Sequence, residues 1–77
     1  MRIYDEEKAR SLTSILIMLT PSEVRELLGK LKSLGVTNDH IHVDDEQDKR
    51  EITVGIYTPQ NIQIFSAKVI KLIQQDD

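Results

Sequence analysis

Two stretches of this chain each carry an apolar run straight into Thr-Pro and then into helix-forming residues. That recurrence limits the fold more than any other feature. The first stretch is Ser14-Ile15-Leu16-Ile17-Met18-Leu19-Thr20-Pro21 and the second Ile52-Thr53-Val54-Gly55-Ile56-Tyr57-Thr58-Pro59. Aligning the two Thr-Pro pairs also sets Ile3 on Ile41, Lys30 on Lys68 and Leu34 on Leu72. The chain reads as one domain, 1–77, built from two pseudo-repeat halves at 1–35 and 39–77.

Helix signals follow both pairs. Thr20 suits an N-cap, Pro21 the first helical position, where a missing N–H costs nothing, and Glu23 completes a capping box. Val24, Leu27, Leu28, Leu31 and Leu34 then form one apolar stripe. Lys30 and Lys32 favour the C-terminal end of the helix dipole, and Gly35 supplies a left-handed stop. The second helix is predicted to start at Thr58-Pro59 with Asn61 as the weaker capping partner. Its stripe is Ile62, Phe65, Val69, Leu72 and Ile73, and its end should fray over Gln74-Gln75-Asp76-Asp77.

Period-two alternation marks strands at His40–Val43 and at Ile52–Ile56. The polar stretch Asp44-Asp45-Glu46-Gln47-Asp48-Lys49 between them is too short for a crossover and predicts a hairpin loop. By the repeat, Arg2-Ile3-Tyr4 is a strand, Asp5 to Arg10 a hairpin loop and Leu12 to Leu19 a second strand. A helix competes over this region, because Leu12, Ile15, Leu16 and Leu19 also fit helical spacing. β-Branched Thr13, Ile15 and Ile17 favour the strand. The expected fold class is α+β: a ββαββα pseudo-repeat with a four-stranded, mainly antiparallel sheet and two helices on one face.

Composition excludes several classes. With no cysteine among 77 residues, disulfides and Cys-ligated zinc are out, and a reducing compartment fits. One Phe, two Tyr and no Trp at a net charge of −3 leave neither stacking platforms nor a phosphate-binding footprint, so nucleic acid is an unfavoured partner. No apolar run approaches the ~20 residues that span a bilayer. The acidic start, Met1-Arg2-Ile3-Tyr4-Asp5-Glu6-Glu7, is unlike a signal peptide, so a cytoplasmic, unprocessed protein is expected. The sequence has no Gly-x-Ser-x-Gly elbow, phosphate-binding glycine loop or His-Glu-x-x-His, and the expectation is a non-enzyme without a cofactor.

A sheet covered on one side leaves the other bare. If Ile52, Val54 and Ile56 face the helices, the repeat puts Leu16 and Met18 with them. Ile15, Ile17 and Leu19 then point outward near Tyr57, an apolar patch that marks an interface with a second copy or another protein. Long neighbours such as Arg2, Tyr4 and Arg10 offer the alternative of shielding those residues within the protein. His40, His42, Asp44 and Asp45 would form the polar rim of such an interface. The same two imidazoles and carboxylate alternate as a metal-binding strand would require, but only nearby acidic residues are available to complete the ligand set, and no metal site is assigned. The acidic loop lacks the glycine and terminal glutamate of a calcium loop. With Asp5-Glu6-Glu7 and Asp76-Asp77 it would instead make an acidic rim suited to a basic partner. Ile64 and Ile70, off the helix stripe, are candidate outer contacts.

The string Leu19-Thr20-Pro21-Ser22-Glu23-Val24-Arg25-Glu26-Leu27-Leu28, followed by Asp39-His40-Ile41-His42-Val43, resembles a pattern in small bacterial α+β proteins of unassigned function. Some of these serve as immunity proteins of polymorphic toxin systems. The resemblance covers about Ser14 to Val43 and implies a bacterial partner-binding protein; it adds no site residue. The functional expectation is a non-enzymatic protein-interaction module, either an immunity or antitoxin-like inhibitor or a small homodimeric regulator. The alternatives are a nucleic-acid-associated regulator using Arg2, Arg10, Lys49 and Arg50, and a metal- or ligand-sensing module.

Overall fold

A computed structural model of the chain describes residues 1–47 and 49–76; Asp48 of the acidic loop and the terminal Asp77 lie outside the described residues. The elements are β1 (Tyr4–Asp5), β2 (Arg10–Ser11), α1 (Pro21–Leu31), β3 (His40–Asp44), β4 (Glu51–Gly55), a 3-10 turn (Ile62–Ile64) and α2 (Ala67–Asp76). The protein is a small α+β protein with two helices. Its strands form two separate two-stranded antiparallel sheets, β1–β2 and β3–β4, in place of the single four-stranded sheet expected. The reason lies in Leu12–Leu19. Leu12 donates its N–H to the Ile3 carbonyl at 2.8 Å, but Ser14 to Leu19 enter neither a ladder nor a helix.

Contacts gather the chain into two compact units, Met18–Ile56 and a unit of Met1–Ile17 with the residues from Tyr57 onward. In the first, Thr20 caps α1 in extended backbone geometry and the capping box with Glu23 is complete. Helix α1 lies against β3. β3 pairs with β4 in the register Ile41↔Val54 and Val43↔Ile52, and Ile41 and Val43 are buried. The expected α1 stripe is covered only in part. Leu27 is half-buried while Val24, Leu28 and Leu31 stay exposed, because a two-stranded hairpin is too narrow to cover the whole stripe, and Leu34, expected in the stripe, lies beyond the end of α1. After α1 the chain turns at Gly35, whose φ of 82° lies in the left-handed region; a Cβ there would stand 2.5 Å from the Ile56 side chain.

In the other unit, Asp5 Oδ1 accepts the N–H groups of Glu7 and Lys8, each at 3.0 Å, which closes the β1–β2 turn. Those bonds, Lys8's foremost, hold the Asp5 carboxyl below its ordinary value. The second helix departs from expectation. Thr58 donates its N–H to Asn61 Oδ1 at 2.9 Å, yet only the Ile62–Ile64 turn follows, and Phe65 is extended (φ −80°, ψ 160°). Helix α2 begins at Ala67, where the Ser66 hydroxyl accepts the Val69 N–H at 3.3 Å and the Ser66 carbonyl accepts from Ile70. Ile62, Ile64 and Phe65 thus fall outside α2, and Leu72 and Ile73 form its buried face. Of the end expected to fray, Asp77 lies outside the described residues and Asp76 is hydrogen-bonded. Asp76 accepts from Arg2 and Tyr4 at 3.2 Å and from Ser11 at 3.3 Å. A carboxylate at a helix C-terminus opposes the dipole, and the Arg2 guanidinium offsets it.

Candidate interaction surface

Ser14 to Leu19 run without turn or bend, and among the described residues none of their backbone groups is hydrogen-bonded to another backbone group. Exposure alternates with the two-residue period of a pleated chain: Ile15 49%, Leu16 84%, Ile17 47% and Met18 84%. Leu19 is half-buried. The phase is the reverse of that expected. Leu16 and Met18, assigned to the helix-covered side by analogy with Ile52 and Val54, are the more exposed row. The repeat transferred its phase from a paired strand to an unpaired one, where no partner fixes which row turns inward. Large aliphatic side chains left in water forgo roughly 1.5–3 kcal/mol each. No charged residue occurs between Arg10 and Glu23, so nothing in the run opposes pairing with another strand.

The other expected contact residues divide between two settings. His40, His42 and Asp44 are all exposed on one side of the β3–β4 hairpin, opposite Gly55, Thr53 and Glu51. The imidazoles meet edge to face, 5.0 Å between ring centroids. His40 Nδ1 is 2.7 Å from Asp39 Oδ1, and His42 Nδ1 is 2.9 Å from Thr53 Oγ1 and 3.3 Å from Glu51 Oε1. Asp45 turns into its own loop instead, accepting the Lys49 N–H at 2.7 Å, which is the main reason its carboxyl is held low. Tyr57 lies under the Arg2 guanidinium, 4.8 Å from the ring centroid. Among the described residues no group of three or more His, Asp or Glu is arranged to hold a metal ion, and no helix is long and apolar enough to cross a membrane.

The β3–β4 hairpin also exposes a backbone edge. Asp45 donates to Arg50 O and Ile56 to Asp39 O, so the hydrogen-bonded pairs are those of odd-numbered β3 residues. The backbone groups of His40, His42 and Asp44 therefore point away from β4, and those of Glu51, Thr53 and Gly55 away from β3. On the β3 side, Lys30 Nζ donates to the His42 carbonyl at 2.5 Å. On the β4 side, no hydrogen bond to the backbone of Glu51, Thr53 or Gly55 occurs among the described residues outside the hairpin.

One feature of α1 escaped sequence reasoning beyond its capping role. Glu23 is only 7% exposed, the sole charged residue buried among those described. Its Oε1 accepts the Thr20 N–H at 2.8 Å and its Oε2 the Glu46 N–H at 3.0 Å. These two N–H groups, Thr20's first, pull its carboxyl below the ordinary value. Ser22 and Thr20 hydroxyls donate to the Glu46 carboxylate as well. The capping box was legible as Thr-x-x-Glu, whereas the reach to Glu46 depends on where the hairpin loop comes to rest. In comparisons with known proteins, no family model, curated protein or solved structure matches this chain.

Proposed function

We propose that this chain is a non-enzymatic, cytoplasmic protein-interaction module that binds by adding Ser14–Leu19 as a strand to a partner. The observation that carries this reading is the conjunction in one segment of unpaired backbone, strand-forming aliphatic residues and no charge. Strand addition draws affinity from main-chain hydrogen bonds and specificity from alternate side chains, and this segment offers both. The exposed His40, His42 and Asp44 offer polar groups of their own to a partner. A net charge of −3 favours a basic partner by raising its on-rate. An immunity or antitoxin-type inhibitor, acting by covering a partner's surface, is the concrete form of this reading.

The test is the mass of the protein in an extract of its own cells, compared between wild type and Ile17→Glu. The wild type should run in a discrete complex larger than the free chain. The variant should be folded by circular dichroism and run free. A wild type found only as free chain, or an Ile17→Glu protein that stays in the complex, overturns the reading.

A further inference from the structure

The unpaired segment and the open β4 edge are complementary parts carried by one chain. The segment presents five consecutive aliphatic residues, Ile15 to Leu19, and β4 is five residues long, Glu51–Gly55. Its outward row of Glu51, Thr53 and Gly55 is exposed, whereas the opposite edge of the hairpin has its central carbonyl, that of His42, taken by Lys30. When Ile17 stands opposite Thr53, Leu16 and Met18 fall beside Ile52 and Val54 in either strand direction, because side chains alternate. That join would place the two most exposed aliphatics of the segment on the apolar side of the hairpin and extend the face of Ile41 and Val43.

We propose that the partner of the Ser14–Leu19 segment is a second copy of this chain, and that its docking site is the β4 edge of that copy. Resting on the strand-addition reading above, this names the occupant. Each chain holds one segment and one edge, so reciprocal exchange closes at two copies, as in a domain-swapped dimer, and leaves neither feature free to propagate. Both features are otherwise hazards, since an open edge and an uncharged apolar strand invite uncontrolled pairing. Reciprocal exchange removes both at once.

Two variants break opposite halves of the contact. Thr53→Pro removes an N–H that points away from β3 and so spares the hairpin's own backbone hydrogen bonds, at the loss of the Thr53 hydroxyl's contact with His42. Leu16→Lys with Met18→Lys charges the most exposed row of the segment without touching a buried residue. By analytical ultracentrifugation the purified wild type should sediment at twice the chain mass of 8.9 kDa. Each variant should weaken self-association roughly tenfold or more. Mixed together, the two variants should form a heterodimer, since one retains a segment and the other an edge. Amides of Thr53 and Gly55 in the wild type should gain hydrogen-exchange protection as concentration rises, which checks the edge even if Thr53→Pro fails to fold.

A Thr53→Pro protein that stays dimeric while the double-lysine variant is monomeric would overturn the β4 site and leave the segment as the contact. A wild type that is monomeric when purified, yet runs in a complex in extracts, would overturn the second copy and spare the wider reading. A double-lysine variant that dimerises normally would sink both.

Discussion

The two Thr-Pro junctions share their letters and differ in outcome. At Thr20-Pro21 the helix starts at once, because the Thr20 hydroxyl accepts the Glu23 N–H, the Glu23 carboxylate answers to the Thr20 N–H, and Glu46 of the hairpin loop adds its own N–H to that carboxylate. At Thr58-Pro59 the Thr58 N–H is bonded to Asn61, no hydrogen bond to the Thr58 hydroxyl occurs among the described residues, and the helix waits until Ala67. Asn61, at φ −110° and ψ 12°, is not helical. Its side-chain oxygen accepts the Thr58 N–H at 2.9 Å. A helix start is thus secured by the tertiary partner of the capping residue as much as by the cap itself, and nucleation of a turn, being costly, needs that help.

Removing the shared carboxylate should have the largest effect on this contrast. Glu23→Ala leaves the Thr20 and Glu46 N–H groups without an acceptor in a buried site. It should lower the melting temperature more than any other substitution at either junction, and a smaller loss than from Thr20→Ala would break the comparison. The same carboxylate sets an acid limb. Because the folded-state pKa of Glu23 lies below its unfolded value, its contribution is complete above about pH 4.3 and is lost as pH falls through the depressed value. Stability measured against pH should therefore fall on the acid side, less steeply in Glu23→Gln.

The hydroxyls come next. Thr20→Ala should cost about 1 kcal/mol by denaturant titration, the usual value of an N-cap. Thr58→Ala should cost under about 0.5 kcal/mol, since no hydrogen bond to its hydroxyl occurs among the described residues. Equal losses would mean that the second junction caps after all. Smallest is Asn61→Glu, which copies the Thr-x-x-Glu letters into the second junction. Far-ultraviolet ellipticity should not change, since the backbone at Asn61 is not helical and the Glu23 carboxylate that the substitution imitates is held by a hairpin-loop N–H as well as by its cap. A gain of helix there would show that the local sequence alone withholds it.

The sequence by itself determined the elements whose signals are local. The Thr20 cap, the start of α1, the two hairpin strands to within a residue of their ends and the polar loop between them depend on neighbours within a few residues. Their periodicity and capping letters specified them. The exposed row of His40, His42 and Asp44 was equally legible, because strand alternation fixes it once the strand exists. Only the tertiary structure decided the rest. Whether Ser14–Leu19 pairs, which of its rows faces outward, and whether Thr58 starts a helix all depend on partners distant in the chain. A β-strand's hydrogen bonds and a buried carboxylate's acceptor sites are completed by residues that local pattern cannot name. For that reason the segment with the strongest strand-forming letters is the one left without a strand.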